Sequence, residues 1–435
     1  MLRLRGSKLN ALTLVLLLCF AVVSVVGCGG DQSKTNGDQT KTNGNQKSTG
    51  DDVIRIGLLY PLTGSLAKLG QEEQKGALLA AELRNAKGGI NGKKIEWVIG
   101  DAPDPQAAVT ETERLITVEK VDIIQGSYSS GVAYAASAVA EKHKKIYWEC
   151  GGVADNITQR GFKYLFRFGQ TGTSNGETAI KLVEDIVAKE LNKDVKSLKI
   201  GIIHEDSAFG TSVADGAEKY AKAQGLNVVI REGYSMNTKD LSSLILKLKK
   251  ANVDILVPTT YVADGLLLFK QMKELNYNPL AVVMGGNAIQ DFKLAMGDEV
   301  NGLMHADITM PRTNYDYCPG LEEFNKEWMK KYNQEPYCAH PIRTFAGANV
   351  LFDVIEQAGS TDPDKIAEVA RSLDLPYGST ATGWGVKFAP EGDPMMGTNL
   401  RAQAFGCIWH DGNIETLWPE EAAWPGVKTK LPWVR

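Results

Sequence analysis

Residues 53–100, VIRIGLLYPLTGSLAKLGQEEQKGALLAAELRNAKGGINGKKIEWVIG, hold one complete strand–helix–strand unit. Val53 to Leu59 is a short β-branched and aliphatic run that stops at Pro61 and Gly64. Leu66 to Asn85 carries helix formers throughout and ends at Lys87-Gly88-Gly89, and Lys94 to Gly100 is extended again. Two such runs with a helix between them imply parallel strands joined by a crossover, the repeat unit of an α/β fold.

The same alternation continues outward. Pro105 to Glu119 reads as a helix opened by proline in its first turn, Val121 to Gln125 as a strand, Gly131 to His143 as a helix and Ile146 to Cys150 as a strand. A second series follows. Helices are expected at Thr173 to Leu191, Phe209 to Ala223, Leu241 to Lys250, Val262 to Leu275 and Ala288 to Met296, and strands at Leu198 to Ile203, Val228 to Glu232, Ile255 to Thr259 and Ala281 to Met284. Beyond them, helices at Leu321 to Tyr332, Ile342 to Gly359 and Pro363 to Leu373 precede one strand-like stretch, Ala402 to Trp409. That is too little for a third sheet, so these segments must complete earlier ones. A chain of 435 residues exceeds what one core usually supports, and two lobes are expected.

Ahead of the α/β region lies different chemistry. Arg3, Arg5 and Lys8 precede an apolar run from Ala11 to Val26 that is shorter than a membrane-spanning helix and suits a signal-peptide core. The run closes on Val25-Val26-Gly27-Cys28, which resembles the lipobox of bacterial lipoproteins; this implies cleavage before Cys28 and a lipid on its thiol. Residues 1–27 are thus read as a signal peptide. Residues 28–52 are read as a lipid anchor and tether, because they lack apolar side chains and repeat Lys-Thr-Asn-Gly, so nothing offsets the entropy of ordering them.

Removing residues 1–27 takes away three positive charges and no negative ones, moving the net charge from -4 to -7 and arguing against a nucleic-acid partner. Cys150, Cys318, Cys338 and Cys407 remain in the folded part; a Cys318–Cys338 disulfide and four free buried thiols are both open.

Several segments together carry a family likeness: Leu59-Tyr-Pro-Leu-Thr-Gly-Ser65, Ala86-Lys-Gly-Gly-Ile-Asn-Gly92, Asp101-Ala-Pro-Asp-Pro105, Gly126-Ser-Tyr-Ser-Ser130, Ile203-His-Glu-Asp-Ser-Ala-Phe-Gly210 and Asp240-Leu-Ser-Ser-Leu-Ile245. In order and spacing the chain resembles the type I periplasmic binding proteins, of the branched-chain amino-acid and amide group, over most of residues 53–418. The resemblance implies two Rossmann-like lobes, 53–169 plus 306–388 and 170–305 plus 389–435. They would be joined by three hinge crossings near Gly169 to Thr173, His305 to Met310 and Phe388 to Gly392. The ligand would lie between the lobes at the carboxyl ends of the strands.

Residue by residue, the likeness implies a ligand site. Ser130, at a helix start, and Gly151 match the cradle for a ligand carboxylate, where unpaired N–H groups favour an anion. Ser130 is also placed to be only a cap for its own helix. Val153 stands where the family has a threonine hydroxyl. Phe209 and Tyr261 match aromatic positions over the ligand, Tyr337 resembles a third, and Tyr128 and Trp148 are close by in sequence. Asn287 stands where the amino-acid binders carry a glutamate for the ligand ammonium. Either Glu149, Glu205 or Asp206 replaces that glutamate, or the ligand has no ammonium.

The expected function is that of an extracytoplasmic, membrane-anchored lipoprotein that hands a small carboxylate-bearing ligand, such as a branched-chain or other amino acid, to the permease of an ABC transporter. An aromatic acid or amide ligand and a sensing role stay open. No catalytic residue, metal or cofactor is expected: no phosphate loop or dinucleotide fingerprint is present, and Cys338 and His340 have no second pair at zinc-ligand spacing. One pattern points elsewhere. Gly172-Thr-Ser174-Asn-Gly176 fits a serine nucleophile elbow, with His204 further on, although the family comparison puts that stretch at a hinge.

Overall fold

The computed structural model describes residues 53–429, so the expected signal peptide, Cys28 and the tether lie outside the described residues. In chain order the first part runs β1 (Val53–Tyr60), α1 (Ala67–Ala86), β2 (Lys94–Asp101), α2 (Pro105–Thr117), β3 (Ile123–Gly126), α3 (Ser130–Lys142), β4 (Ile146–Glu149) and β5 (Leu165–Arg167). The second begins with α4 (Gly172–Leu182), which runs through a π turn at Val183–Val187 into α5 (Ala188–Glu190). It continues with β6 (Lys199–Glu205), α6 (Ala208–Ala223), β7 (Asn227–Tyr234), α7 (Ser242–Lys250), β8 (Ile255–Thr260), α8 (Val262–Glu274), β9 (Leu280–Gly285), α9 (Gln290–Met296) and β10 (Met304–Asp307). Then come α10 (Pro319–Tyr332), α11 (His340–Ala358), α12 (Pro363–Ser372), β11 (Phe405–His410) and β12 (Asn413–Trp418).

These strands form two sheets. The first is wholly parallel, in the order β2-β1-β3-β4-β5. The second, β12-β11-β10-β9-β8-β6-β7, is parallel from β10 to β7 and antiparallel where β11 joins β10 and β12 joins β11. Central strands such as β3 and β8 are buried along their whole length, as expected of sheets covered by helices on both faces. Each sheet is indeed flanked by two apolar clusters.

Local chemistry sets the helix starts. Asp104 caps α2, accepting from the Ala107 N–H at 2.8 Å with Pro105 in the first turn, and Asp362 with Pro363 repeats the device at α12. Helix α11 ends on Gly359, whose φ of 59° is the left-handed conformation glycine adopts freely.

The chain leaves the first sheet after β5 and leaves the second after β10, so that α10, α11 and α12 join the core of the first. Around the expected third crossing, Phe388 to Gly392, the backbone is still tied to the first sheet's edge. Residues 397–399 pair with Arg167 and Phe388 before the chain turns to β11. Strands β5, β10 and β12 were not expected from the sequence.

All four cysteines in the described region are free buried thiols, which corrects the Cys318–Cys338 alternative. Cys318 precedes a 14-residue helix, roughly 21 Å long, and packs in the first sheet's core, whereas Cys338 packs with the second. A disulfide needs Cα atoms within about 7 Å.

Candidate ligand site between the two sheets

The carboxyl ends of both sheets face one cavity of about 40 Å³. Tyr128, Ser130, Gly151, Val153 and Gln170 line it from the loops after β3, β4 and β5, and His340 and Arg343 from the first turn of α11. Phe209 and Tyr261 follow β6 and β8, Gly285 and Asp307 end β9 and β10, and Asn175 lies on α4. The cleft is closed by bonds between the lobes. Asp155 accepts from the hydroxyls of Thr173 at 2.5 Å and Ser212 at 3.1 Å, Lys68 pairs with Asp291 at 2.8 Å, and the Gln290 N–H donates to the Tyr337 carbonyl at 3.3 Å.

Five of the seven expected ligand residues therefore share a cavity, and two do not. The Tyr337 ring lines a separate pocket with Gln290 and Cys338, under the Lys68 ammonium at 4.0 Å. Asn287 is fully buried behind the wall, its Oδ1 accepting from the Thr260 hydroxyl at 2.5 Å.

Of the expected anion cradle, the Gly151 N–H is engaged within the protein and Ser130 is open to the cavity. Ser129, one residue before Ser130, caps α3 by accepting from Val132. The Ser130 hydroxyl instead accepts from the Ala154 N–H at 3.1 Å and faces the cavity. The Gly151 N–H, which the resemblance assigns to a ligand, donates to the Glu149 carboxylate at 2.6 Å. Glu149 also accepts from the Gly152 N–H at 2.5 Å and the Ser127 N–H at 2.9 Å. Gly151 has no room for a side chain, since a Cβ there would lie 1.8 Å from the Ser127 carbonyl oxygen. Burial raises the Glu149 carboxyl, and the three N–H groups pull it back down.

Of the other carboxylates considered for an ammonium, Glu205 is consumed locally, accepting from the Ser207 N–H and hydroxyl and from the Gly210 N–H. Asp206 is exposed and accepts from the Met236 N–H. The carboxylate the sequence reading missed is Asp307. Its one hydrogen bond is from the adjacent Ile308 N–H, 2.9 Å, and burial pushes it up to about 6 despite that N–H and the Arg343 charge.

Arg343 was missed as well. It is 3 % exposed and pairs with the fully buried Glu73 at 2.7 Å, while its Nε has no partner. Burial raises the Glu73 carboxyl against the pull of Arg343. Burial alone would lower the guanidinium, and the Glu73 charge and hydrogen bond outweigh it, so Arg343 stays protonated. Burial lowers His340 to about 3, with Arg343 adding to the effect, and its imidazole is neutral. Two aromatic pairs frame the space: Phe209 with Tyr261 on the second lobe, and Tyr128 with His340 on the first, each with centroids 5.3 Å apart. The single signal for Arg343 was a lone arginine in the apolar start of α11; nothing in sequence linked it to Glu73, 270 residues away.

The serine-elbow residues do not form a nucleophile pair. The Ser174 hydroxyl accepts from the Ala404 N–H at 3.2 Å, and His204 Nδ1 is 2.9 Å from the Glu205 carbonyl oxygen. Among the described residues no cluster of metal-ligand type is present.

Comparison with known proteins follows the same lines. The periplasmic binding protein family matches residues 53–400. A curated relative, the Leu/Ile/Val-binding protein homolog 8 of Brucella abortus (strain 2308), is 40% identical over 373 residues, covering 85% of this chain and 91% of the relative. Two solved structures share the fold. The branched-chain amino acid transporter substrate-binding protein of Streptococcus pneumoniae, in complex with isoleucine, has a TM-score of 0.69 at 23% identity, covering 84% of this chain and 99% of that one. A solute-binding protein of Rhodopseudomonas palustris BisB5, in complex with 3,4-dihydroxybenzoic acid, has a TM-score of 0.67 at 19% identity, covering 84% and 95%.

Proposed function

Because the chain belongs to the periplasmic binding protein family, among the Leu/Ile/Val-binding protein homologues, we propose that it is the substrate-binding component of an ABC transporter. In this reading it is anchored outside the cytoplasm through Cys28, encloses a small nitrogenous solute of amino-acid size between its lobes, and delivers it to a permease. The observation that carries the reading is the cavity itself. It joins the strand ends of both sheets, has an aromatic wall of Phe209 and Tyr261, and contains a buried carboxylate, Asp307, whose hydrogen bond comes from the adjacent Ile308 N–H and which forms no ion pair. The residues for which the reading implies ligand contact are Ser130, Val153, Phe209, Tyr261, Arg343 and Asp307. Asn287 and Tyr337 then act from behind the wall and from outside the cavity.

A ligand touching both lobes stabilises the closed state by its differential contacts. The test is a thermal-shift panel of amino acids, amines, amides and aromatic acids, followed by small-angle scattering with and without the hit. A ligand at a hundred times its dissociation constant adds about 2.7 kcal/mol, and the radius of gyration should fall on binding. Ser130→Trp, which fills the cavity, should remove both responses; an unchanged shift in that variant places the ligand elsewhere. Anchoring has its own test: Cys28→Ser should release the protein from the membrane fraction, and a mature chain starting at another residue by mass spectrometry would refute the lipid.

A further inference from the structure

The family likeness leads one to look for a ligand carboxylate at the start of α3 and at the Gly151 N–H after β4, and in this chain the second of these is already taken. Three backbone N–H donors, from Ser127, Gly151 and Gly152, converge on Glu149 within 3.0 Å, and the Ser127 hydroxyl adds a fourth contact at 3.2 Å. At these N–H groups the carboxylate therefore comes from the protein. A ligand bringing its own to them would have to expel Glu149 or lie against it.

The remaining charges point the same way. Arg343 is the one cation in the cavity wall, and it is committed to Glu73 at 2.7 Å. With that pair cancelled, Glu149 and Asp307 are two further enclosed carboxyls with no ion-pair partner, and burial raises both. Glu149 has its N–H donors, but Asp307 has only the neighbouring Ile308 N–H and opens onto the cavity. A buried charge without a partner is strongly unfavourable, so the ligand supplies the missing countercharge. A zwitterion leaves the total unchanged and an anion worsens it; a cation reduces it. Unpartnered acceptor atoms reinforce this. Asn175 Oδ1 on the wall and Glu73 Oε2 beside Gly151 are both buried without a hydrogen bond. The open donors on the other side are neutral, the Ser130 hydroxyl and the first N–H groups of α3, except for the single free Arg343 Nε–H. They suit a carbonyl or hydroxyl oxygen.

We infer that this cleft takes a small organic cation, an amine with no carboxylate, whose ammonium sits against Asp307 while Glu149 holds the Gly151 N–H that would otherwise meet a ligand carboxylate. The inference rests on the reading of the cleft as the ligand site. It makes Glu149 a specificity residue that acts by exclusion and Asp307 one that acts by attraction.

The test uses two matched series, so that side-chain size is constant while the charged groups change: L-leucine, L-leucinamide, isoamylamine and 4-methylpentanoate, then L-phenylalanine, L-phenylalaninamide, 2-phenylethylamine and 3-phenylpropionate. In thermal shift and calorimetry the amine or the amide of at least one series should bind about tenfold or more tightly than its amino acid, and the acids should not bind. Glu149→Ser should open the cradle, tightening the amino acid about tenfold and weakening the amine. Asp307→Asn, which leaves the cradle untouched and guards against misfolding in the first variant, should abolish amine binding while the protein still unfolds cooperatively. An amino acid or acid that outranks the amines in the unmodified protein, and loses binding in Ser130→Trp, overturns the inference and leaves the cleft reading standing. If no probe of either series or of the wider panel binds, both fall together.

Discussion

Each lobe ends a strand in a buried glutamate that accepts backbone N–H groups, and the two glutamates have different consequences. Glu205, at the end of β6, accepts from Ser207 and Gly210 within its own turn and completes the start of α6. Glu149, at the end of β4, draws in Ser127 from the turn after β3 as well as its own turn, and lies close enough to Glu73 to raise its carboxyl. The first is a helix-capping device and could be replaced by any good cap. The second sets the charge of a closed space. The lobes divide the site accordingly. The first presents Arg343, paired with Glu73, and the Tyr128–His340 pair, the second presents Phe209 and Tyr261, and Asp307 sits at the crossing between them.

The largest effect should come from unbalancing the first lobe. Arg343→Met leaves Glu73 buried without its partner, for which about 3–5 kcal/mol of stability is expected to be lost. Adding Glu73→Gln should restore most of it. Urea unfolding of the single and double variants measures the coupling; additive losses would mean that the pair is not a unit.

Asp307 should behave in the opposite sense. Its folded value of about 6 lies above an unfolded value near 3.9. The extra stability of the protonated form is therefore fully present below about pH 4 and is lost as pH rises through about 6. Ligand-free Asp307→Asn should accordingly be more stable than the parent by about 2–3 kcal/mol at pH 7 and no different near pH 4. Ligand should reverse the order at pH 7, because a cation relieves the charge. Comparing the two proteins at each pH isolates this residue from the other carboxylates, and a gap that does not change with pH would refute it.

How much of this was legible in sequence depends on distance along the chain. The β1–α1–β2 unit and the α2 start at Asp104-Pro105 are written locally, in β-branched runs, caps and turn residues, and the structure places them within a residue or two of expectation, whereas Phe209 and Tyr261 were legible only through the family likeness. Strand β5 has only three residues, and β10, Met-His-Ala-Asp, has none of the β-branched residues that mark β3 and β4 at the same length. Ser129 and Ser130 illustrate a finer limit. Two adjacent serines before a helix are equivalent as caps on paper, and only the Ala154 N–H on Ser130 separates them. The charged network was illegible for a plainer reason: Glu73, Arg343 and Asp307 come from α1, α11 and β10, and nothing in their neighbourhoods announces that the fold brings them together.

The second lobe's contribution should be blind to charge, which separates it cleanly from the first. Phe209→Ala removes a ring that packs on Tyr261 and closes over Gly285, whose φ of 107° and contact with the Thr260 carbonyl forbid a side chain that could fill the gap. About a tenfold loss of affinity, roughly 1.4 kcal/mol, is expected for amines and amino acids alike in calorimetry. A loss confined to one class would mean that the ring also reads charge.

The smallest effect should lie at the mouth. Lys68 and Asp291 join the lobes at 2.8 Å, but their side chains are 57% and 43% exposed, and such pairs contribute only about 0.2–1 kcal/mol. Lys68 also lies over the Tyr337 ring of its own lobe, so Lys68→Ala removes one weak closing contact. The ion pair acts on the closed state alone, so its loss should appear as faster ligand release with an unchanged association rate, no more than about fivefold in stopped flow. The electrostatic part should vanish near 1 M salt, where the screening length is about 3 Å. Asp155 offers the contrast, because its bonds to Thr173 and Ser212 cross between the lobes in a partly buried setting. Asp155→Ala should therefore speed release more than Lys68→Ala and keep its effect in high salt. Equal effects, or equal salt dependence, would show that closure is held at the mouth and not beside the hinge.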